Sequence, residues 1–186
     1  HAHACARLQD GTVRCWGKSS AGQAGSASPS LLWVPREVPT LRSVVEIASG
    51  DWHTCARLVE SGASKVRCWG GNHRGRPGTG KAGNHEEILG LTDPVKLAAS
   101  TSAACAITRD GSVACWDPRD FGVGVQHVAV RVPGVEEATD AWVNGDDGGC
   151  ARKKSGAAPV TRCIATCAAL SSRVNPRTPW NAKCQP

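Results

Sequence analysis

The sequence predicts an all-β protein made of propeller blades, about three and a half of them forming an arc, with a disulfide-stapled C-terminal tail. Three observations lead there. First, one pattern recurs at a period of about fifty residues: Cys5-Ala6 then Asp10-Gly11-Thr12-Val13-Arg14-Cys15-Trp16-Gly17, Cys55-Ala56 then Val66-Arg67-Cys68-Trp69-Gly70, and Cys105-Ala106 then Asp110-Gly111-Ser112-Val113-Ala114-Cys115-Trp116, with a worn copy from Cys150-Ala151 to Val160-Thr161-Arg162-Cys163. Second, each copy holds three or four short strand signals with Gly and Pro between them. Third, no segment sustains a 3.6-residue apolar period, so little helix is expected.

The elements follow in chain order. In the first unit, residues 1–43, Cys5-Ala6-Arg7-Leu8 and Thr12-Val13-Arg14-Cys15 flank Gln9-Asp10-Gly11. A three-residue loop ending in Gly suits a hairpin, since Gly takes the left-handed conformation cheaply. That register sets Leu8 opposite Thr12 and Cys5 opposite Cys15, close enough to be bridged. In the second unit, residues 44–93, Val44–Gly50 is a strand signal ahead of Cys55. The longer spacing to Cys68 reads as a loop tip at residues 60–64. The third unit, residues 94–138, repeats the short loop between Cys105 and Cys115 after a strand at residues 95–100. In the fourth, residues 139–166, a strand at residues 140–145 precedes Cys150, and residues 154–158 form the tip before Cys163. Residues 1–166 therefore make up the repeats. Residues 167–186, with Cys167, Cys184, two prolines and many polar residues, read as a stapled cap.

Composition narrows the function. The 186 residues include ten Cys, seven Trp, one Phe and neither Tyr nor Met. Lacking Met, the chain is expected to be a processed or excised piece, with any targeting signal upstream. No apolar run reaches the roughly 20 residues that span a bilayer. All ten cysteines can pair, and eight sit at matched repeat positions, a framework suited to an oxidising compartment: extracellular, periplasmic or cell surface. The formal charge of +6 is uneven, because residues 151–186 carry seven Lys+Arg and no acid while the first 150 residues are nearly neutral.

The motif His-x-Cys-Ala, Asp-Gly-x-Val-x-Cys-Trp-Gly, Gly-Gln-x-Gly and Ile-Ala-x-Gly is carried by His3, Cys5-Ala6, Asp10-Gly11, Cys15-Trp16-Gly17, Gly22-Gln23, Gly25, Ile47-Ala48-Ser49-Gly50 and His53. It resembles the repeats of the regulator of chromosome condensation (alpha-tubulin suppressor-like) family, and its two-cysteine form resembles the bacterial, exported branch. The match covers about residues 1–150 and weakens along the chain: Asp117 and Ala103 replace the Gly and His in the third copy, Gly148 and Ile164 the His and Trp in the fourth. The resemblance implies seven-bladed rings, of which this chain would form an arc or a short, imperfectly closed assembly. It also implies that His3 and His53 hydrogen-bond within their blades.

No catalytic residues, metal ligands or cofactor site are identified. The spacing between cysteines is not that of a zinc knuckle, and no Cys-x-x-Cys occurs. Disulfides are therefore expected at Cys5–Cys15, Cys55–Cys68 and Cys105–Cys115. Cys150, Cys163, Cys167 and Cys184 allow three connectivities, of which the repeat favours Cys150–Cys163 with Cys167–Cys184. A four-thiolate site from these four is the alternative. Asp140, Asn144, Asp146 and Asp147 lack calcium-loop spacing, and Gly78-Thr79-Gly80-Lys81 fails as a phosphate loop because Ala82 follows. His1, His73, His85 and His127 read as surface residues. Trp16, Trp69 and Trp116 share one repeat position and read as packing between blades. Trp33, Trp52 and Trp180 lie off the pattern and are candidate interaction anchors.

These readings point to a non-enzymatic protein-interaction scaffold with a protein partner. No nucleic acid or transmembrane segment is expected, and the basic tail could meet an envelope surface. The resemblance implies two alternatives: a protein inhibitor of an extracellular or periplasmic enzyme, like the beta-lactamase-inhibiting propellers, or guanine-nucleotide exchange on a small GTPase.

Overall fold

The computed structural model describes residues 3–26, 29–70, 85–101, 103–116, 128–144, 148–153 and 160–164; the side chains of Asn144, Gly148 and residues 160–164 are outside the description. The tail at 167–186, and with it Cys167, Cys184 and Trp180, lies outside the described residues. So do His1, His73, His127, Gly78–Lys81 and the tip at 154–158.

Fourteen strands and no helix are described. They form four antiparallel meanders, each ordered as in the sequence. The first sheet is β1 (His3–Arg7), β2 (Val13–Lys18) and β3 (Leu31–Glu37). The second is β4 (Val44–Ser49), β5 (His53–Glu60), β6 (Ala63–Gly70) and β7 (Glu86–Glu87). The third is β8 (Pro94–Ala99), β9 (Ala104–Thr108), β10 (Val113–Trp116) and β11 (Val130–Arg131). The fourth is β12 (Ala138–Asn144), β13 (Gly148–Lys153) and β14 (Val160–Ile164). The architecture is all-β with propeller-type blades.

Local chemistry explains each hairpin. Leu8 N–H donates to Thr12 O (2.9 Å), and Thr108 N–H to Ser112 O (2.9 Å). Alternation along an antiparallel ladder then makes Cys5/Cys15 and Cys105/Cys115 non-hydrogen-bonded pairs, whose side chains approach most closely. Both pairs are disulfides, with Cα–Cα distances of 4.1 and 4.0 Å. Asp10 and Asp110 close the two turns by accepting from the backbone N–H of Thr12 (2.9 Å) and Ser112 (3.0 Å).

The second hairpin departs from expectation. Residues 60–64 are not a long tip: β5 and β6 run on to Glu60 and Ala63, leaving Ser61-Gly62 as a two-residue turn. Both have positive φ, 50° and 82°, the type I′ geometry whose twist matches the flanking strands. The added residues lengthen the ladder and keep Cys55 opposite Cys68, which are bonded. Cys150 is also disulfide-bonded and faces Cys163 in the strand register.

The core lies at the three seams between sheets. Leu32, Val38 and Leu41 from the first sheet and its connection pack with Val44, Leu58 and Trp69 of the second. Val66, Cys68 and Ile88 pack with Leu97, Ala106 and Trp116 of the third. Ile107, Val113, Val132 and Val135 pack with Ala138 and Ala151 of the fourth. Trp69 and Trp116 thus fill the seam toward the preceding blade, while Trp16 flanks the first seam from its own sheet. Backbone bonds also cross all three seams, from Val44 N–H to Gly11 O (3.0 Å), from Ala129 N–H to Leu89 O (2.8 Å) and from Ala138 N–H to Gly111 O (2.9 Å).

Candidate functional site

The first seam holds a buried polar knot. The main-chain oxygen of Gln23 accepts from Trp69 Nε1 (3.1 Å) and from the Thr54 hydroxyl (3.1 Å). With its proton committed there, Thr54 Oγ1 is left to accept from His3 Nε2, 2.8 Å away. His3 therefore bonds across two blades rather than within one, because Thr54 of β5 stands beside it. Burial, first of all, lowers the His3 pKa, against a smaller upward pull from Asp51. His53 is buried within the turn it closes, where Gly50 N–H donates to its main-chain oxygen (2.9 Å). His85 is not the free surface residue expected: it is half-buried, with Nε2 3.1 Å from the Thr40 hydroxyl, and burial lowers its pKa. These interactions explain folding.

A second polar set runs along the strands that begin the second, third and fourth sheets. Glu46 on β4 accepts from Arg57 Nε (2.9 Å) and reaches the next sheet through Leu97 N–H (3.2 Å). Asp140 on β12 pairs with Lys96 of β8 and Arg152 of β13, each at 2.7 Å. The hydrogen bond from Lys96, more than any other contact, holds the Asp140 carboxyl below its ordinary range. Among the described residues, no His/Cys/Asp/Glu cluster is arranged to hold a metal ion, and no helix is long and apolar enough to cross a membrane.

The three off-pattern tryptophans fare differently. Trp180 is outside the described residues. Trp52 is half-buried in the turn between β4 and β5, with Lys18 Nζ 5.1 Å from its ring centroid. A cation already over its face makes it a poor open anchor. Trp33 is 84% exposed, and its neighbour Val34 is 60% exposed. Both lie in β3, the outer edge of the first sheet. The register sets Arg36 opposite Cys15 and Leu32 opposite Gly17, so Trp33-Val34-Pro35 bulges against the single residue Trp16. Leu32 enters the core while the bulge turns Trp33 and Val34 to solvent. Pro35, with no N–H to donate, keeps this edge from extending as a ladder. Sequence reasoning picked out Trp33 but missed the bulge; the signal was Pro35 ending a run of four apolar residues on an outer strand. It also missed Trp142 on β12, which is 43% exposed.

Comparison with known proteins agrees with this architecture. Residues 10–57 and residues 44–76 match two models of the regulator of chromosome condensation (RCC1) repeat. Yeast RCC1 (Prp20) in its complex with Kap60 is similar at TM-score 0.65 and 20% identity, over 89% of this chain and 42% of that one. Prp20p of Saccharomyces cerevisiae, solved separately, gives TM-score 0.63 and 19% identity over 88% and 43%. Human WBSCR16 gives 0.59 and 17% over 88% and 50%. At these identities the likeness is one of fold, and the chain spans half or less of the length of each. With the repeat matched at its first two Cys-Trp hairpins and its sheets folded like those of the solved proteins, residues 10–76 carry regulator of chromosome condensation repeats within a propeller-type fold.

Proposed function

We propose that this chain is a non-enzymatic protein-interaction scaffold from an exported bacterial propeller protein, and that Trp33 is its anchor. The observation that carries the reading is the Trp33-Val34-Pro35 bulge. A large, rigid, amphipathic ring held out from a fixed β-edge combines contact area with little ordering cost, which is why Trp is enriched at binding hot spots. The bulge leaves the seam intact, so exposing Trp33 has no folding role to explain it. Three hairpin disulfides support an oxidising location, whether extracellular, periplasmic or cell surface. Contact between the basic stretch 151–186 and an envelope surface belongs to the same proposal.

A photo-crosslinking side chain at position 33, expressed in the source cell, tests this. One predominant adduct is expected at 33, absent from a matched probe at Ser61 and lost with Val34→Asp. No adduct at 33, or equal labelling at 61, overturns the assignment of Trp33. An adduct that is an enzyme silenced on binding would make the scaffold an inhibitor.

The second reading is nucleotide exchange on a small GTPase. The study of Prp20p that describes its binding properties to Gsp1p and histones favours it. The disulfides oppose it, since such GTPases work in reducing compartments. Release of a fluorescent guanine nucleotide from an added GTPase is expected to be unchanged; acceleration would replace the scaffold reading.

A further inference from the structure

We infer, on the basis of Trp33 as the anchor, that its partner is an acidic protein segment: one that seats apolar side chains on Trp33 and Val34 and presents an Asp or Glu carboxylate to the Arg36 guanidinium. All three residues are exposed on β3. Trp and Arg are among the types most enriched where binding energy concentrates. Pro35 and the bulge stop strand addition at this edge, so recognition falls to side chains. At about 3.3 Å per residue, Arg36 lies at most about 10 Å along the strand from Trp33, a span that a few extended residues of a partner cover. The exposure belongs to the outer strand as such. Val130 faces Cys115 as Arg36 faces Cys15, and Val128 precedes Val130 as Val34 precedes Arg36. Val128 and Val130 are likewise about half exposed, in a third sheet that packs against a sheet on either side.

Arg36 gives this rim its charge preference. The register places Arg36, Glu86 and Val130 opposite Cys15, Cys68 and Cys115. A cation, an anion and an apolar residue thus occupy one repeat position, so the blade itself needs no charge there. Five other arginines have acids: Arg42 pairs with Glu37 (2.9 Å), Arg57 with Glu46 (2.9 Å), Arg67 with Glu60 (3.3 Å), Arg152 with Asp140 (2.7 Å), and Arg109 with Asp93. Among the described residues Arg36 has none, because its neighbour Glu37 is taken by Arg42. Residues 71–84 and 151–186 contain no acid to offer it. Residues 1–43 carry five Lys+Arg against two acids, so the local field favours an anionic approach. A planar guanidinium takes a carboxylate through two parallel hydrogen bonds. An anionic lipid surface would call for several cations beside the ring, whereas Arg36 stands alone next to Glu37 on this strand.

The test irradiates the protein carrying p-benzoylphenylalanine at position 33 in the source cell, then quantifies and maps the adduct by mass spectrometry. The attached segment should be protein and should hold an Asp or Glu within about four residues of the crosslink, the reach set by the strand spacing. Arg36→Glu should lower the adduct yield about fivefold, the scale of an exposed pair turned into a repulsion. Lys65→Glu makes the same charge change at an exposed pair on the second sheet and should leave the yield unchanged. Arg36 is exposed and has no acid to lose, so its variant should fold, as unchanged thermal melting and intact disulfides would show. A protein adduct indifferent to Arg36→Glu, an equal loss with Lys65→Glu, or an attached segment without an acid overturns the acidic partner and leaves Trp33 as the anchor. An adduct to lipid overturns it in favour of a membrane surface. No adduct at 33 removes the anchor, and the acidic partner with it.

Discussion

At the scale of single residues, repeat positions differ in what they tolerate, and the reason is local geometry. Gly62 and Gly70 both have positive φ, 82° and 89°. A Cβ on Gly62 meets nothing within 4 Å, whereas one on Gly70 would lie 2.6 Å from Trp52 O and 2.7 Å from Gln23 Cα. Gly62→Ala should therefore cost only the left-handed penalty, about 1 kcal/mol, and Gly70→Ala should cost about 3 kcal/mol or more by forcing the first seam apart. Chemical denaturation of the two variants checks the contrast. Asp110 is the residue that makes acid stability measurable. The Thr108 hydroxyl first, and then the main chain and hydroxyl of Ser112, lower its pKa to about 2 from the usual 3.8. The folded carboxyl thus holds its charge below the unfolded value. Its contribution is complete above about pH 4 and is lost as pH falls toward 2. Asp110→Asn should flatten that part of the curve of melting temperature against pH, leaving the smaller share from Asp10. A curve unchanged in slope would mean the turn does not depend on the charge.

At the scale of elements, the hairpin is the unit the sequence wrote most legibly, and its disulfides should divide by burial. Cys55 and Cys68 are at most 1% exposed and both lie in the second seam, whereas in the first seam only Cys15 is fully buried and its partner Cys5 is half-buried at the flank. Replacing either pair by Ala should lose about 3 kcal/mol through the freed unfolded chain. The Cys55–Cys68 replacement should lose more, because both of its sulfurs are buried and it leaves the larger cavity; denaturant titration of both double variants measures the difference. The cysteine register could be read from the Gln9-Asp10-Gly11 loop length because side chains alternate and one slip would turn every residue over. The length of β5 and β6 could not, since Ser61-Gly62 suits a long tip as well as a two-residue turn until the strand twist selects one. Trp33 was visible only as a residue outside the pattern. Its exposure comes from a bulge set by pairing to β2, a non-local fact that composition does not carry. His3 was assigned to its own blade for the same reason: its partner Thr54 lies 51 residues away.

At the scale of the molecule, stability resides in seams, and each seam joins only two neighbours. Leu41 and Leu58 are fully buried in the first seam, and Val135 in the third. The second and third sheets stand between these clusters, so a cavity at one seam has no shared side chain through which to reach the other. Leu41→Ala should cost roughly 2–5 kcal/mol, and Val135→Ala should cost less because it removes fewer methyl groups. Together they should add to within about 0.5 kcal/mol, as independent sites do. Leu41→Ala with Leu58→Ala should depart from additivity by more, because both open the same cluster. Native-state hydrogen exchange provides the second readout: Leu41→Ala should speed exchange in β1, β2, β4 and β5 before it does so in β12 and β13, the behaviour of a linear array of nearest-neighbour units. Uniform acceleration across all four sheets would show instead that the blades open as one cooperative body, and that the seams are not separate sources of stability.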